Sequence, residues 1–181
     1  MTYYGGKNLA FSFRQVRGNT IKAAEEIPET QYGFRAAPET RSIGQLLVHI
    51  ALGPGIQMHI HTAGIDDLKN VNFGELMQQA MTEEAKPRSK AETIAFLVSE
   101  GERVALFLEG LSDTFLGESV TMPPGLEPPT KTRFEMLMSM KEHEMHHRGQ
   151  LMLLQRMVGL VPHLTRQMQE RMTQRAAAAG R

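Results

Sequence analysis

His143 and His147 lie four residues apart in the segment Lys-Glu-His-Glu-Met-His-His-Arg, and their type and spacing suit metal binding. On a helix, residues four apart lie one turn from each other on the same face, so two imidazoles can reach one ion. The apolar pattern places His147 at the centre of the apolar stripe and His143 beside it. Since buried imidazoles need polar partners, this placement favours a metal site. The alternative is a pair of core histidines bonded to the backbone or to each other.

A site on one helix needs a ligand from another, and His49 is the leading candidate. It flanks the apolar stripe of an earlier helix, although a half-exposed polar residue beside the core would show the same pattern. His59 and His61 follow a Gly-Pro-Gly segment, after which the pattern does not fix their orientation. His146 is predicted to face solvent or a neighbouring helix, and His163 follows Pro162, beyond the end of the helix that carries His143.

His143, Glu144 and His147 also form the motif H-E-x-x-H, in which the glutamate of zinc proteases is the general base for a metal-bound water. The extended protease motif would need Gly and His where Gln150 and Leu153 stand. Glu144 is therefore a candidate catalytic base, a partner of a ligand, or a helix-surface carboxylate, and its place on the flank of the stripe favours the last. A di-iron carboxylate site needs two Glu-x-x-His pairs, and only one is present here.

The elements that must position these histidines are helices, because apolar residues recur at helical spacing after clear start signals. Three capping boxes pair a hydroxyl residue with Glu or Gln three residues later: Ser42 with Gln45, Ser89 with Glu92, and Thr132 with Glu135. A further helix is expected over about 8–27. The helix after Thr132 should end at Gly159, which suits a left-handed cap, followed by Pro162.

The remaining segments are predicted to be short or irregular. Gly53-Pro54-Gly55 must end or kink the second helix. Residues 61–88, with a short helix at 72–84, and the proline-rich 117–130 are expected to be irregular, and no strand pair is evident. A short helix is expected over 163–175. The sequence thus predicts an all-α single domain over 1–181, a four-helix bundle with long crossover connections and short peripheral helices, with 176–181 frayed.

Composition excludes several classes of function. Twenty Lys and Arg balance twenty Asp and Glu among 181 residues, so no broad attraction to nucleic acid or anionic membranes is expected. Cysteine is absent, which excludes disulfides, cysteine-ligated zinc, iron–sulfur clusters and a protein thiol nucleophile. Without a signal-peptide or transmembrane pattern, a soluble cytoplasmic protein is expected.

Two segments together resemble the DinB/YfiT-like superfamily: Ser42-Ile-Gly-Gln-Leu-Leu-Val-His49-Ile, and His143-x-x-x-His147-Arg-Gly-Gln-Leu about a hundred residues later. The resemblance continues into Leu154–Pro162. It implies a four-helix bundle, often homodimeric, with His49, His143 and His147 as ligands of a divalent metal ion. Three imidazoles leave coordination positions open, and nitrogen ligands suit Zn, Ni or Fe.

Relatives in that superfamily include S-transferases and isomerases that use a low-molecular-weight thiol. The resemblance therefore implies a metal-dependent thiol transferase or a hydrolase that acts on a small-molecule substrate. Two alternatives stay open. One is a non-catalytic, dimeric, stress-related bundle with structural or vestigial histidines, and the other is a zinc hydrolase with Glu144 as general base.

Overall fold

Four helices pack side by side in the computed structural model, which describes residues 4–179. Helix α1 packs against α5 and α7, and α2 packs against the same two helices. The bundle helices are α1 (Gly6–Glu26), α2 (Ile43–Leu52), α5 (Lys90–Glu109) and α7 (Arg133–Met157). The others are α3 (Gly55–Thr62), α4 (Phe73–Glu84), α6 (Asp113–Gly117) and α8 (His163–Ala179), with 3₁₀ turns at Glu29–Gln31 and Leu68–Asn70. The predicted all-α four-helix bundle is confirmed.

The three predicted capping boxes are all formed. Ser42, Ser89 and Thr132 each accept a hydrogen bond from the backbone N–H three residues on, at 3.2 Å. The side chains of Gln45, Glu92 and Glu135 accept from the cap residue's own N–H in return. These bonds satisfy backbone donors that the first helical turn leaves unpaired, and so fix where α2, α5 and α7 begin.

One prediction about the connections is wrong. The segment 117–130 is not entirely irregular, because β1 (Ser119–Thr121) and β2 (Thr130–Thr132) pair antiparallel, with Val120 opposite Lys131. Val120 is fully buried, which anchors the hairpin to the bundle. The predicted break at Gly53-Pro54-Gly55 is confirmed, since α2 ends at Leu52 and α3 begins at Gly55, although Gly53 and Pro54 both keep right-handed helical angles.

The C-terminal helix is longer than the sequence pattern predicts. Helix α8 begins at His163, where the predicted short helix begins, and it continues through Ala179. Residues 176–179, expected to be frayed, are helical. Residues 180–181 lie outside the described part of the chain. Met168 and Met172 are 58% and 60% exposed on this helix, and homodimerisation stays a prediction.

A buried ion pair divides the core along α1. One apolar cluster meets α1 at Leu9–Phe13, and another meets it at Ala23–Ile27. Arg17 lies between them and pairs with Glu144 of α7, with both side chains almost wholly inaccessible. No helix within residues 4–179 is both long and apolar enough to cross a membrane.

Candidate metal centre

Three imidazoles meet where the end of α2 faces the middle of α7. Nε2 of His49 lies 3.2 Å from Nε2 of His147 and 3.2 Å from Nε2 of His143. In this group one nitrogen from each ring lies within 4.8 Å of the others, and all three side chains are partly buried. The structure thus brings together the three histidines that the sequence and its resemblance select.

The spacing of these nitrogens suits a divalent metal ion. Metal–imidazole bonds of about 2.0–2.1 Å place the nitrogens of a tetrahedral site about 3.3 Å apart. The two observed separations of 3.2 Å match that value. A set of three imidazoles also suits zinc and the later transition metals better than magnesium or calcium, which prefer oxygen.

Hydrogen bonds to the outer nitrogens determine how two of the rings are protonated. Nδ1 of His49 lies 3.1 Å from Oε2 of Glu84, and a carboxylate can only accept, so Nδ1 of a neutral His49 carries the hydrogen. Nδ1 of His147 lies 2.8 Å from Oε1 of Gln150, whose Nε2 lies 3.2 Å from Nε2 of His146. Because the amide oxygen faces Nδ1 of His147, that nitrogen of a neutral His147 also donates. Both rings therefore turn unprotonated Nε2 atoms inward, as metal ligands must.

Burial keeps the three imidazoles neutral. It is the largest cause lowering the pKa of each ring, and it brings that of His143 to about 4. The cationic Arg41 lowers all three further, whereas the carboxylate of Glu84 opposes the shift at His49 and His147. Neutral imidazole is the form that binds metal, so the site is ready to bind an ion at neutral pH.

His143 is held by close packing at a glycine. A Cβ atom at Gly53 would overlap Nδ1 and Cε1 of the His143 ring. Nδ1 of His143 is buried and has no hydrogen-bond partner within residues 4–179. Gly53 therefore gives the ring its space, while the other two ligands are held by hydrogen bonds.

Glu84 and Arg41 are parts of the site that sequence analysis did not identify. Glu84 is the last residue of α4, and its Oε1 accepts from Nε of Arg41 at 2.6 Å while its Oε2 contacts His49. A carboxylate on the outer nitrogen of a ligand fixes the ring and raises its basicity. The sequence pattern predicts the helix but carries no signal that its last carboxylate reaches an imidazole 35 residues away.

Glu144 is not a helix-surface carboxylate. It is fully buried, and both of its oxygens lie 3.0 Å from Nε of Arg17. Arg17 in turn donates to the carbonyl oxygens of Leu97 at 2.8 Å and Ile50 at 3.2 Å. The buried face of α7 runs through Glu144, so His143 and His147 lie on its flank, and the predicted central position of His147 is wrong.

The other histidines lie outside the cluster. His59 and His146 are exposed, the latter as predicted. His61 is buried between Gln57 and Arg133, and His163 is buried against Asn19. None of these four belongs to the group of nitrogens that can share an ion.

A cavity of about 620 Å³ opens beside the centre. His147 and Gln150 form one part of its wall, and leucines of α2 and α7 form another. The remaining lining residues are Gln45 of α2 and residues from the segment before α2 and from the end of α4: Arg35, Ala36, Glu39, Thr40, Arg41 and Glu84. A cavity of this size holds a small molecule next to the metal ligands.

Residues 12–151 match the DinB superfamily, and the chain therefore belongs to that superfamily. Two solved structures from Bacillus subtilis share its fold. The DinB-like protein YjoA is 20% identical, with a TM-score of 0.61 over 83% of this chain and 92% of YjoA. YfiT, described as a probable metal-dependent hydrolase with an unusual four-helix bundle topology, is 15% identical, with a TM-score of 0.66 over 88% of this chain and 91% of YfiT. Comparison with curated protein sequences gave no match.

Proposed function

We propose that this DinB-superfamily protein is a metal-dependent enzyme that acts on a small molecule, with His49, His143 and His147 holding a divalent ion. The observation that carries the proposal is the 3.2 Å separation of two unprotonated Nε2 atoms beside an open cavity. When bound, the ion would lower the pKa of a coordinated thiol or water and so supply a nucleophile at neutral pH. Three protein ligands leave room for that nucleophile.

Thiol transfer is the preferred reaction because neither Glu144 of the H-E-x-x-H motif nor Glu84, which contacts a ligand, is free to act as a general base. Glu144 is buried with both oxygens on Arg17, and Glu84 is bound to His49 and Arg41. A thiol that has lost its proton needs no further base to attack an electrophile. Because the chain contains no cysteine, the thiol belongs to a low-molecular-weight cosubstrate.

Hydrolysis is the second candidate, favoured by the description of YfiT as a probable metal-dependent hydrolase. In that case the three neutral imidazoles would leave the ion its full positive charge, which favours activation of water without a separate base. In both reactions Glu144 serves as the buried partner of Arg17, not as the catalytic base.

Metal content of the untagged protein tests the site. We expect about one divalent ion per chain in the wild type after exposure to Zn, Ni or Fe, and its loss in His49→Ala and His147→Ala. His59→Ala is the matched control, since His59 is exposed and outside the cluster. Absence of metal from the reconstituted wild type would contradict the proposal and favour a non-catalytic bundle.

The two reactions are separated by their need for a thiol. The metal-loaded protein is incubated with electrophilic esters and halides, with and without a panel of small thiols. Consumption of thiol that depends on both the metal and the enzyme supports transfer. Ester cleavage at the same rate without thiol supports hydrolysis.

A further inference from the structure

We infer that the cavity beside the metal centre takes small amphipathic carboxylates, and that Arg41 binds their carboxylate group. This inference rests on the proposed function, since it places one end of the substrate at the metal centre. It names a residue that determines specificity and a chemical class of substrate.

Arg41 is held in place by one nitrogen and keeps the others available. Its Nε donates to Glu84 at 2.6 Å, whereas its two terminal nitrogens make no hydrogen bond to any residue within 4–179. The side chain is 41% exposed and lines the cavity. A guanidinium with free terminal N–H groups offers a forked donor that matches a carboxylate better than a lysine would.

Arg35, the other arginine of the cavity, is already occupied. Its Nη2 donates to Gln45 at 2.7 Å, and its Nη1 donates to the carbonyl oxygen of Thr40. Thr40 directly precedes Arg41, so Arg35 fastens the segment that carries Arg41 to the start of α2. Arg35 is therefore a positioning residue, and Arg41 is the cation available to a ligand.

The carboxylate site and the metal centre are linked by one side chain. Glu84 contacts Arg41 through one oxygen and His49 through the other, at 2.6 and 3.1 Å. Only a carboxylate and an imidazole therefore separate the guanidinium from the converging Nε2 atoms. A single small molecule can contact Arg41 and the metal centre together.

The rest of the cavity wall is partly apolar, so it favours a ligand with an apolar part. His147, Gln150, Leu153 and Leu154 line it along α7, and seven residues of helix span about 10 Å. Leu153 is 58% exposed, although Leu46 and Leu154 beside it are buried. A ligand chain of several carbons would cover Leu153 and gain the free energy of removing it from water.

Once the metal is bound, the charges that line the cavity favour an anionic ligand. Arg35 and Arg41 are balanced by Glu39 and Glu84, so the cavity wall has no net charge from these four residues. A divalent ion on three neutral imidazoles then makes the loaded site positive overall. Glu39, an exposed carboxylate, is the one lining acid with no ion-pair partner within residues 4–179.

The test compares two hydroxamates with the same alkyl chain, one ending in a carboxylate and the other in a neutral primary amide. The hydroxamate group chelates the metal in both, so their difference reports recognition of the far end. Affinities for the zinc-loaded full chain are measured by titration calorimetry, and metal content is measured for every variant. We expect the wild type to bind the carboxylate about tenfold more tightly, as a charge-assisted hydrogen bond implies.

The preference should depend on Arg41. In Arg41→Gln the two hydroxamates should bind equally, and Arg41→Lys should keep part of the preference. Glu39→Gln should increase the preference by removing an opposing charge. Arg166→Gln is the matched control, since it also removes one positive charge but lies outside the cavity, paired with Glu26.

The results that would overturn this inference differ from those that would overturn the proposed function. Equal binding of both hydroxamates by the wild type, or an undiminished preference in Arg41→Gln, would overturn the inference while the metal centre stands. Loss of metal from Arg41→Gln would also overturn it, since Arg41 would then support the ligands and not the substrate. A wild type that binds neither metal nor hydroxamate would overturn the proposed function and this inference together.

Discussion

Nε2 of His49 lies 3.2 Å from Nε2 of His147, although each ring directs the hydrogen of its Nδ1 at another acceptor. Neither inward nitrogen has a hydrogen to donate, so the two lone pairs face each other. Such an arrangement is unfavourable in a partly buried site unless a cation lies between the nitrogens. Protonation would supply one, but burial lowers the pKa of both rings, so a metal ion is the better partner.

Gly53→Ala is expected to weaken metal binding at least tenfold without unfolding the protein. The new methyl group would overlap the ring of His143 and displace its Nε2 from the cluster. The backbone of Gly53 is right-handed helical, so alanine suits its conformation. Metal affinity is measured by competition with a chromophoric chelator, and thermal unfolding checks the fold.

The control for that change is Gly55→Ala. A Cβ atom at Gly55 meets no other atom within 4 Å, so metal affinity should be unaltered. Equal metal affinities for the two variants would show that His143 is not held by packing at Gly53.

Glu144→Gln is expected to lower the free energy of unfolding by about 3–5 kcal/mol, because it leaves the charge of Arg17 buried without a counter-ion. The measurement is urea unfolding of the metal-free protein. Arg17→Met should cost a similar amount, whereas the double variant Arg17→Met/Glu144→Leu should recover much of the loss.

This variant also tests Glu144 as a general base. If Glu144 were a general base, Glu144→Gln would keep full stability and metal content but lose turnover. The geometry predicts the opposite pattern, a loss of stability, because within residues 4–179 Arg17 is the hydrogen-bond partner of Glu144.

Local sequence signals were enough to predict the parts of the structure that interactions between nearby residues determine. Ser42, Ser89 and Thr132 mark helix starts because the capping bonds span only three residues. The spacing of His143 and His147 likewise follows from the helix alone. Glu84 and Arg17 could not be found this way, because their roles depend on contacts with residues 35 and 127 positions away. The prediction that Glu144 lies on the helix surface is wrong because a buried ion pair places charges on a helix face that a hydrophobic pattern would predict to be apolar.

Acid is expected to destabilise the metal-free protein through His61. Burial is the main cause that lowers the pKa of His61 to about 4, with Arg133 adding to it. The ring is neutral when folded, and in the unfolded chain it takes a proton near pH 6.5. Stability is therefore retained above about pH 6.5 and lost as the pH falls toward 4, by about 3 kcal/mol in total.

The measurement is urea unfolding of the metal-free protein from pH 7 to 4.5, for the wild type, His61→Gln and His59→Gln. His61→Gln is less stable at pH 7, because glutamine cannot replace both bonds to Gln57 and Arg133. The difference in the free energy of unfolding between His61→Gln and the wild type should shrink as the pH falls. The exposed control His59→Gln should follow the wild type. Parallel pH profiles for all three proteins would contradict the role of His61.

Glu84→Gln is expected to reduce metal affinity by about 10- to 100-fold, the range seen when the partner of a ligating imidazole is changed. Glutamine can still accept from Nδ1 of His49, but it removes the negative charge that raises the basicity of the ring and holds Arg41. Glu83→Gln is the matched control, because Glu83 pairs with Lys86 and Arg88 and does not contact the ligands. Competition with a chelator at fixed pH measures both variants. If Glu83→Gln weakened metal binding as much as Glu84→Gln, the effect would come from the general field of α4 and not from the hydrogen bond to His49.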